Sequence, residues 1–191
     1  MKQLAWLWLP LLLLACAARA ETYTFNQDRS HLDFTVHHFL GKVGGRFRQF
    51  NGTLQFNRQA VEKSAVSVTV DVASVDTANS DRDADLRSAK FFNVARFPTA
   101  TFRSTSVRRV SGTETRVTGE LTLHGVTRPL TLSVRSLDPP GSTSSSRVTH
   151  WQATAELDRG DYGLLWNPVI ETSGAVGKGI SFQISVEAFH P

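Results

Sequence analysis

Cysteine is nearly absent from this chain. Cys16 is the only one in 191 residues. A single thiol excludes an internal disulfide and any site built from several cysteines. Long apolar runs are also scarce. Leu4 to Ala15 is one, broken only by Pro10, and nothing after it approaches the length of a membrane-spanning helix. Clustered positive charge is missing as well. Arg108-Arg109 is the only adjacent pair of basic residues, so the chain lacks a nucleic-acid footprint and no nucleic-acid partner is expected. There is no nucleophile elbow, phosphate loop or zinc-protease motif, and Gly44-Gly45 stands outside the context of a nucleotide loop. No internal repeat, linker or second domain interrupts the sequence.

The first twenty residues read as a secretory signal peptide. Lys2 supplies the positive start, Leu4 to Ala15 the apolar stretch, and Ala18-Arg19-Ala20 a small-x-small cleavage site before Glu21. A second processing route is written in the same segment. Leu13-Leu14-Ala15-Cys16 fits the pattern at which lipoproteins are cut and acylated on cysteine, which would give a membrane tether through Cys16. The quality of the Ala20 site favours release, as does a strand that begins just beyond it. Removing Lys2 and Arg19 from the 21 basic side chains leaves 19 against 17 acidic ones, so the released chain is close to neutral. About 171 residues from Glu21 to Pro191 then suffice for one domain with a substantial core.

What that domain does contain is alternation. Val66, Val68, Val70 and Val72 stand every second residue, separated by Ser67, Thr69 and Asp71. Leu32, Phe34 and Val36 repeat the pattern. So do Val117, Gly119, Leu121 and Leu123, then Leu130, Leu132 and Val134, and finally Ile180, Phe182, Ile184, Val186 and Ala188. Successive side chains on a strand face opposite ways, so each comb has one apolar face and one wet face. Eight or nine strands are expected, over Thr22–Asn26, His31–His38, Gly44–Asn57 (a long, bent pair or a single curved strand), Ser64–Ala73, Pro98–Val110, Glu114–His124, Arg128–Leu137, Arg147–Asp158 and Lys178–Phe189. Turns are expected around Gly41 and Gly125, and a Pro/Gly/Ser-rich loop over Asp138–Ser146. One short helix is expected over Asp81–Ala89, capped by Ser80, with the aromatic pair Phe91-Phe92 behind it. The fold class is therefore all-β: a single antiparallel eight-stranded up-and-down β-barrel with one short helix. Eight strands leave room for side chains or for one slender ligand.

Three stretches carry a family resemblance. The first joins Asp28-x-x-His31, Val36-x-His38 and Gly41-x-Val43-x-Gly45-x-Phe47. The second joins Val75-Asp76-Thr77, Asp83-x-x-Leu86-Arg87-Ser88, Phe91-Phe92 and Phe97-Pro98-x-x-Thr101-Phe102-x-Ser104-Thr105. The third joins Gly119-x-Leu121-Thr122-Leu123-x-Gly125-Val126-Thr127-x-Pro129 to Arg159-x-Asp161-Tyr162-Gly163. Together they resemble the YceI-like family of polyisoprenoid-binding periplasmic proteins. Two departures stand out: Lys90 where the family usually has Asp before the Phe-Phe pair, and Tyr162 where Phe is commoner. The resemblance implies a lipocalin-like barrel, exported to the periplasm, that sequesters or carries a long isoprenoid, a quinone-type lipid or a similar apolar chain.

On that reading the expected ligand-binding residues are Phe34, Val36, His38, Val68, Val70, Phe91, Phe92, Phe102, Leu121, Leu123, Leu132, Trp151, Phe182 and Ile184. Each burial of a methylene contributes about 0.8 kcal/mol, so such a ligand needs no polar recognition motif. No cofactor and no metal are expected. His37 and His38 face opposite ways, and His31 and His37 lie about 20 Å apart along a strand. Asp83 and Arg87 are four residues apart on the helix and are expected to pair; Arg159 and Asp161 are expected to lock a turn. Phe91-Phe92 fits either a plug or the flank of an entrance. Asn51-Gly52-Thr53 matches a glycosylation pattern but reads as a turn in a chain with a bacterial-type leader. Two rival functions remain at this level. One is a barrel with a filled interior that binds a partner or serves in stress response. The other is an enzyme on isoprenoid lipids, with His38, Glu156 or His150 as its titratable group. A homodimer is neither required nor excluded.

Overall fold

A computed structural model describes residues 20–38, 41–138, 147–166, 172 and 176–190. Residues 1–19, with Cys16, and most of the loop expected at 138–146 lie outside the described residues, as does the side chain of His38.

Among the described residues, eleven strands form one continuous antiparallel sheet. They are β1 (Glu21–Phe25), β2 (His31–His38), β3 (Gly41–Phe47), β4 (Phe50–Phe56), β5 (Ala65–Asp71), β6 (Val75–Asp76), β7 (Thr99–Arg109), β8 (Glu114–Leu123), β9 (Val126–Ser136), β10 (Val148–Asp158) and β11 (Val176–Phe189). Three pairs of these are halves of longer, bent staves. β2 pairs with β3 and β1 continues the same hairpin against β4, the break being a 3-10 turn at Gln27–Arg29. β4 pairs with β5 and β3 with β6, the break being a 3-10 turn at Val72–Ser74. Counted as staves, eight strands follow one another up and down. β11 closes the ring by pairing with both β1 and β2. Closure pairs most of the edge that an open sheet would present to other chains.

The expected alternation becomes the wall of this barrel, with four corrections. Gly41 opens β3 rather than forming the turn. Val72 leaves its comb and enters a 3-10 turn, where it is still buried. The helix α1 (Ser80–Arg87) is capped by Asn79, whose side chain accepts from the Arg82 N–H, and not by Ser80. Asp83 and Arg87 do not pair. Asp83 accepts from the Thr77 N–H (2.9 Å) and hydroxyl (2.6 Å), while Arg87 donates to the carbonyls of Ala73 and Val75. Backbone groups released by the irregular β6 segment compete for both side chains and win.

The two poles of the barrel differ. At one pole α1 and the segment behind it fold across the opening. Phe91 and Phe92 are buried there, Phe91 stacked on Trp166 (ring centroids 4.6 Å) and Phe92 edge-on to Phe47 (6.1 Å). Phe34 extends this aromatic column toward mid-barrel through Phe47 and Phe182. Arg159, almost wholly buried, stitches the same pole by donating to the carbonyls of Leu164, Val176 and Gly177. Asp161 contributes through its carbonyl, which accepts from the Arg128 Nε–H at 3.5 Å. The opposite pole carries the 57–64 connection, the β7–β8 turn and the end of β9.

The wall is not uniform. β10 pairs with β11 along its whole length but meets β9 only through Trp151–Thr154. Pro129, which has no N–H to give a neighbour, sits in the stretch of β9 that lacks a β10 partner.

Candidate functional site

The barrel interior holds a cavity of about 350 Å³ that opens at the pole away from α1. Its wall is built by the inward residues of the staves, because every second side chain on each strand must point inside. β5 gives Val66 and Val68, β7 gives Val107, β8 gives Val117, and β9 gives Leu132 and Val134. β10 adds Trp151 and Ala153, β11 adds Ile184 and Val186, and Phe25, Leu54 and Phe56 come from β1 and β4. The polar groups that line it include Arg58, Ser64, Arg109, Thr113, Thr115, Ser136 and Asp138.

Of the residues expected to line a ligand site, Val68, Leu132, Trp151 and Ile184 border this cavity. The others lie elsewhere. Phe102 is buried at mid-barrel with Val107, Val117, Leu132 and Ala155, where Gly119 leaves space for its ring. Leu121 and Phe182 bridge that cluster to the core of the closed pole. Phe34, Val36, Val70, Phe91, Phe92 and Leu123 belong to the closed-pole core. His38 ends β2, and its side chain is outside the described residues. Both rings of Phe91-Phe92 are buried in the closed-pole core, and neither borders the cavity.

Sequence reasoning passed over Phe25, Leu54, Phe56 and Arg58, and over Val107 and Val186. For β4 the signal was present, since Phe50, Gly52, Leu54 and Phe56 alternate like the valine comb. Nothing in the sequence marks Arg58, which follows the strand in a connection.

Arg58 is held firmly. Its Nη2 and Nε donate to the Glu21 carboxylate at 2.9 and 3.1 Å, and Nη2 also reaches the Tyr23 hydroxyl. Tyr23 in turn donates to Glu21 at 2.8 Å. Hydrogen bonds from Arg58 and then Tyr23 hold the Glu21 carboxyl below its ordinary range. Burial, assisted by the bond to Glu21, pushes the Tyr23 phenol up to about 12. Across the rim, Asp138 accepts from the Thr149 hydroxyl (2.6 Å), the His150 backbone N–H (2.9 Å) and the His150 ring (2.9 Å). Burial works against its charge, yet these bonds still hold its carboxyl below the usual value. The bond to Asp138 raises the His150 imidazole.

Of the three alternative acid–base groups, the side chain of His38 lies outside the described residues, and neither Glu156 nor His150 lies in the interior. Glu156 faces outward into a shallow polar groove with Asp33, Thr35, Thr131 and Thr154, where β9 and β10 part. His150 is half exposed at the rim. Among the described residues, no cluster of three or more His, Cys, Asp or Glu side chains is arranged to hold a metal ion.

Comparison with known proteins follows the same outline. Residues 23–188 match the model of the YceI-like domain. Protein YceI of Salmonella arizonae is 33% identical over 180 residues, covering 93% of this chain and 91% of that protein. Among solved structures, BcnA of Burkholderia cenocepacia superposes with a TM-score of 0.77 at 17% identity, over 85% of this chain and 98% of that one. The YCEI protein of Campylobacter jejuni gives 0.68 at 24% identity, over 78% and 85%. A polyisoprenoid binding domain from Saccharophagus degradans gives 0.63 at 20% identity, over 88% and 98%. These structural likenesses concern the fold.

Proposed function

The chain belongs to the YceI-like domain family, and from that premise we propose that it binds a long apolar lipid, an isoprenoid or a chain of similar character, inside its barrel. The observation that carries the proposal is the cavity of about 350 Å³, walled by aliphatic and aromatic side chains and open at one pole. That volume falls at the lower end of the range for small-molecule sites. Apolar cavities of this kind favour apolar guests, each buried methylene contributing about 0.8 kcal/mol. The relative from Saccharophagus degradans, described as polyisoprenoid binding, supports the same class of ligand.

The mechanism is passive. The wall removes the chain from water, and the polar rim meets whatever end of the molecule remains in solvent. The closed-pole core fills the other half of the barrel, so a long tail enters further only if Phe102 and Phe182 change rotamer. Binding rather than catalysis suits a cavity whose inward residues below the rim do not titrate. Export is part of the proposal, resting on the leader ahead of Glu21: release to the periplasm after Ala20, or anchoring through Cys16.

Native mass spectrometry of the protein from the periplasm, followed by extraction and identification of lipids, tests the reading. A stoichiometric adduct of isoprenoid or fatty-acyl mass is expected. A bare protein that takes up no added polyprenyl lipid would instead support a filled barrel acting on a partner. The intact mass of the same sample separates a chain starting at Glu21 from one acylated at Cys16.

A further inference from the structure

We propose that the open pole of the barrel docks onto a bilayer that carries anionic lipid, with the cavity mouth facing the membrane. Docking of this kind requires no bound ligand, so it goes beyond the lipid-binding reading and stands or falls apart from it.

Exposed apolar side chains concentrate at one end of the molecule. Among the described residues, the large ones are Val110, Leu137, Val148, Leu165 and Phe189. Leu165 belongs to the closed pole, beside the turn at Gly160. The other four are 37–55% exposed and sit at the open pole, on the arc of wall from β7 to β11. Val110 follows β7, and its N–H donates to Glu114 at the start of β8. Ser136 donates to Thr113 in the β7–β8 turn, and Leu137 donates to His150 on β10. Val148 and Phe189 stand directly opposite each other on β10 and β11. Alternation turns all four outward: Arg109, Ser136 and Asp138 beside them border the cavity, and Thr149 and Ala188 are buried. Single exposed apolar residues need no explanation, but a set gathered at the opening of a cavity does.

Charge gives this patch its partner. Arg108, Arg109, Arg116 and Arg147 are exposed on the same arc, and none forms an ion pair among the described residues. Arg108 and Arg116 are directly opposed across β7 and β8. Like charges in that position cost stability, so the pair does nothing for folding. The acidic groups nearby are engaged. Glu21 holds Arg58, Asp138 and Glu187 hold His150, and Glu114 stands across from Arg135. Glu62 is offset by its neighbour Lys63. Apolar side chains interleaved with arginines suit a bilayer interface, where the former enter the acyl boundary and the latter reach lipid phosphates. The four apolar groups edge an opening and form no continuous face, which disfavours a protein partner, whose contact needs a packed, dry centre.

The course of the chain agrees. β1 starts at Glu21, which is bonded to Arg58 at this same rim. A tether through Cys16, five residues upstream and at most about 18 Å away along the chain, would hold this pole and not the other against the membrane. Docked in this way, the cavity exchanges an apolar chain with the bilayer without passing it through bulk water.

The test uses protein carrying Cys16→Ser, which removes the acylation route and leaves the chain free of cysteine. Flotation is measured with vesicles of three parts phosphatidylethanolamine to one part phosphatidylglycerol, and with vesicles of phosphatidylcholine alone. Binding is expected to the anionic vesicles, about tenfold weaker to the neutral ones, and to decline as salt rises. Arg108→Gln combined with Arg116→Gln should weaken it about twentyfold, each basic group at an anionic surface being worth about fivefold. Leu137→Ser and Phe189→Ser should weaken it too, and Leu165→Ser should not. All three residues are exposed, so the fold survives, as circular dichroism verifies. Orientation is read from an environment-sensitive fluorophore attached at Leu137→Cys or at Leu165→Cys, with a blue shift on anionic vesicles expected only at the former. The proposal is overturned if the protein stays off anionic vesicles, if it binds both kinds alike, or if the label at Leu165→Cys shifts instead. Self-association in sedimentation without vesicle binding would assign the patch to a second copy of the chain, and overturns it equally. None of these outcomes touches the uptake of a lipid by the cavity, which the mass measurement reads separately.

Discussion

Arg159 shows what a single buried side chain can do for one pole of a barrel. It is 1% exposed and donates to three backbone carbonyls, those of Leu164, Val176 and Gly177. Replacing it with methionine keeps the volume and leaves those acceptors buried without donors. Each such loss costs about 1–3 kcal/mol, so Arg159→Met is expected to lower stability by about 3–5 kcal/mol in urea unfolding. His150 and Asp138 act at the other pole, and their tie depends on pH. The imidazole is raised in the folded protein, so its contribution is complete below about pH 6.5 and is lost as pH rises through the raised value. The carboxyl is lowered, so its contribution is present above the ordinary carboxylate range and is lost as pH falls through the lowered value. Melting temperature is therefore expected to decline as pH rises above about 6.5, and His150→Gln to flatten that decline. The step should be small, because His150 is half exposed and water screens the pair.

At the scale of elements, the β8–β9 hairpin turns on two residues with left-handed backbone, His124 (φ 52) and Gly125 (φ 75). Both angles positive is the turn whose twist matches that of paired strands. Gly125 also lies against Phe97, whose ring would stand 2.6 Å from an added Cβ. Gly125→Ala therefore combines backbone strain with a clash and is expected to cost about 1–3 kcal/mol, read from the urea midpoint at unchanged slope. The same hairpin reaches the Arg159–Tyr162 turn through the His124 ring and the Tyr162 carbonyl (3.2 Å). That contact spans the wall where β9 and β10 have separated.

For the whole molecule, the division into a packed half and a hollow half is the property that matters. A core filled throughout would gain stability but could hold no guest. Ala153 lies in the wall of the hollow half, a small side chain between Ile184 on β11 and Val134 on β9. Ala153→Phe is expected to occupy the cavity, abolish uptake of a polyprenyl lipid and leave the fold intact by circular dichroism. In the wild type, a ligand at a hundred times its dissociation constant should stabilise the protein by about 2.7 kcal/mol, visible as a higher melting temperature. That increment should vanish in Ala153→Phe.

Alternation of side chains is local and strict, so the sequence alone determined that this chain forms apolar-faced strands and that the apolar faces must enclose a common interior. Val66 to Val70, Leu130 to Val134 and Ile180 to Ala188 needed nothing beyond their own spacing. Motif spacing added the family. Depth along the barrel axis was beyond its reach. Phe34 and Leu132 carry the same alternation signal, yet one belongs to the closed-pole core and the other borders the cavity, because stagger between strands sets their heights. Asp83 and Arg87 had the right spacing to pair, but the bent β6 segment offered each a better backbone partner. Arg58 lies outside every periodic pattern. Its place beside Glu21 and Tyr23 is set by hairpin register, which brings the end of β4 across from β1. Spacing within a strand is written residue by residue; the height at which strands meet is settled only when the ring closes.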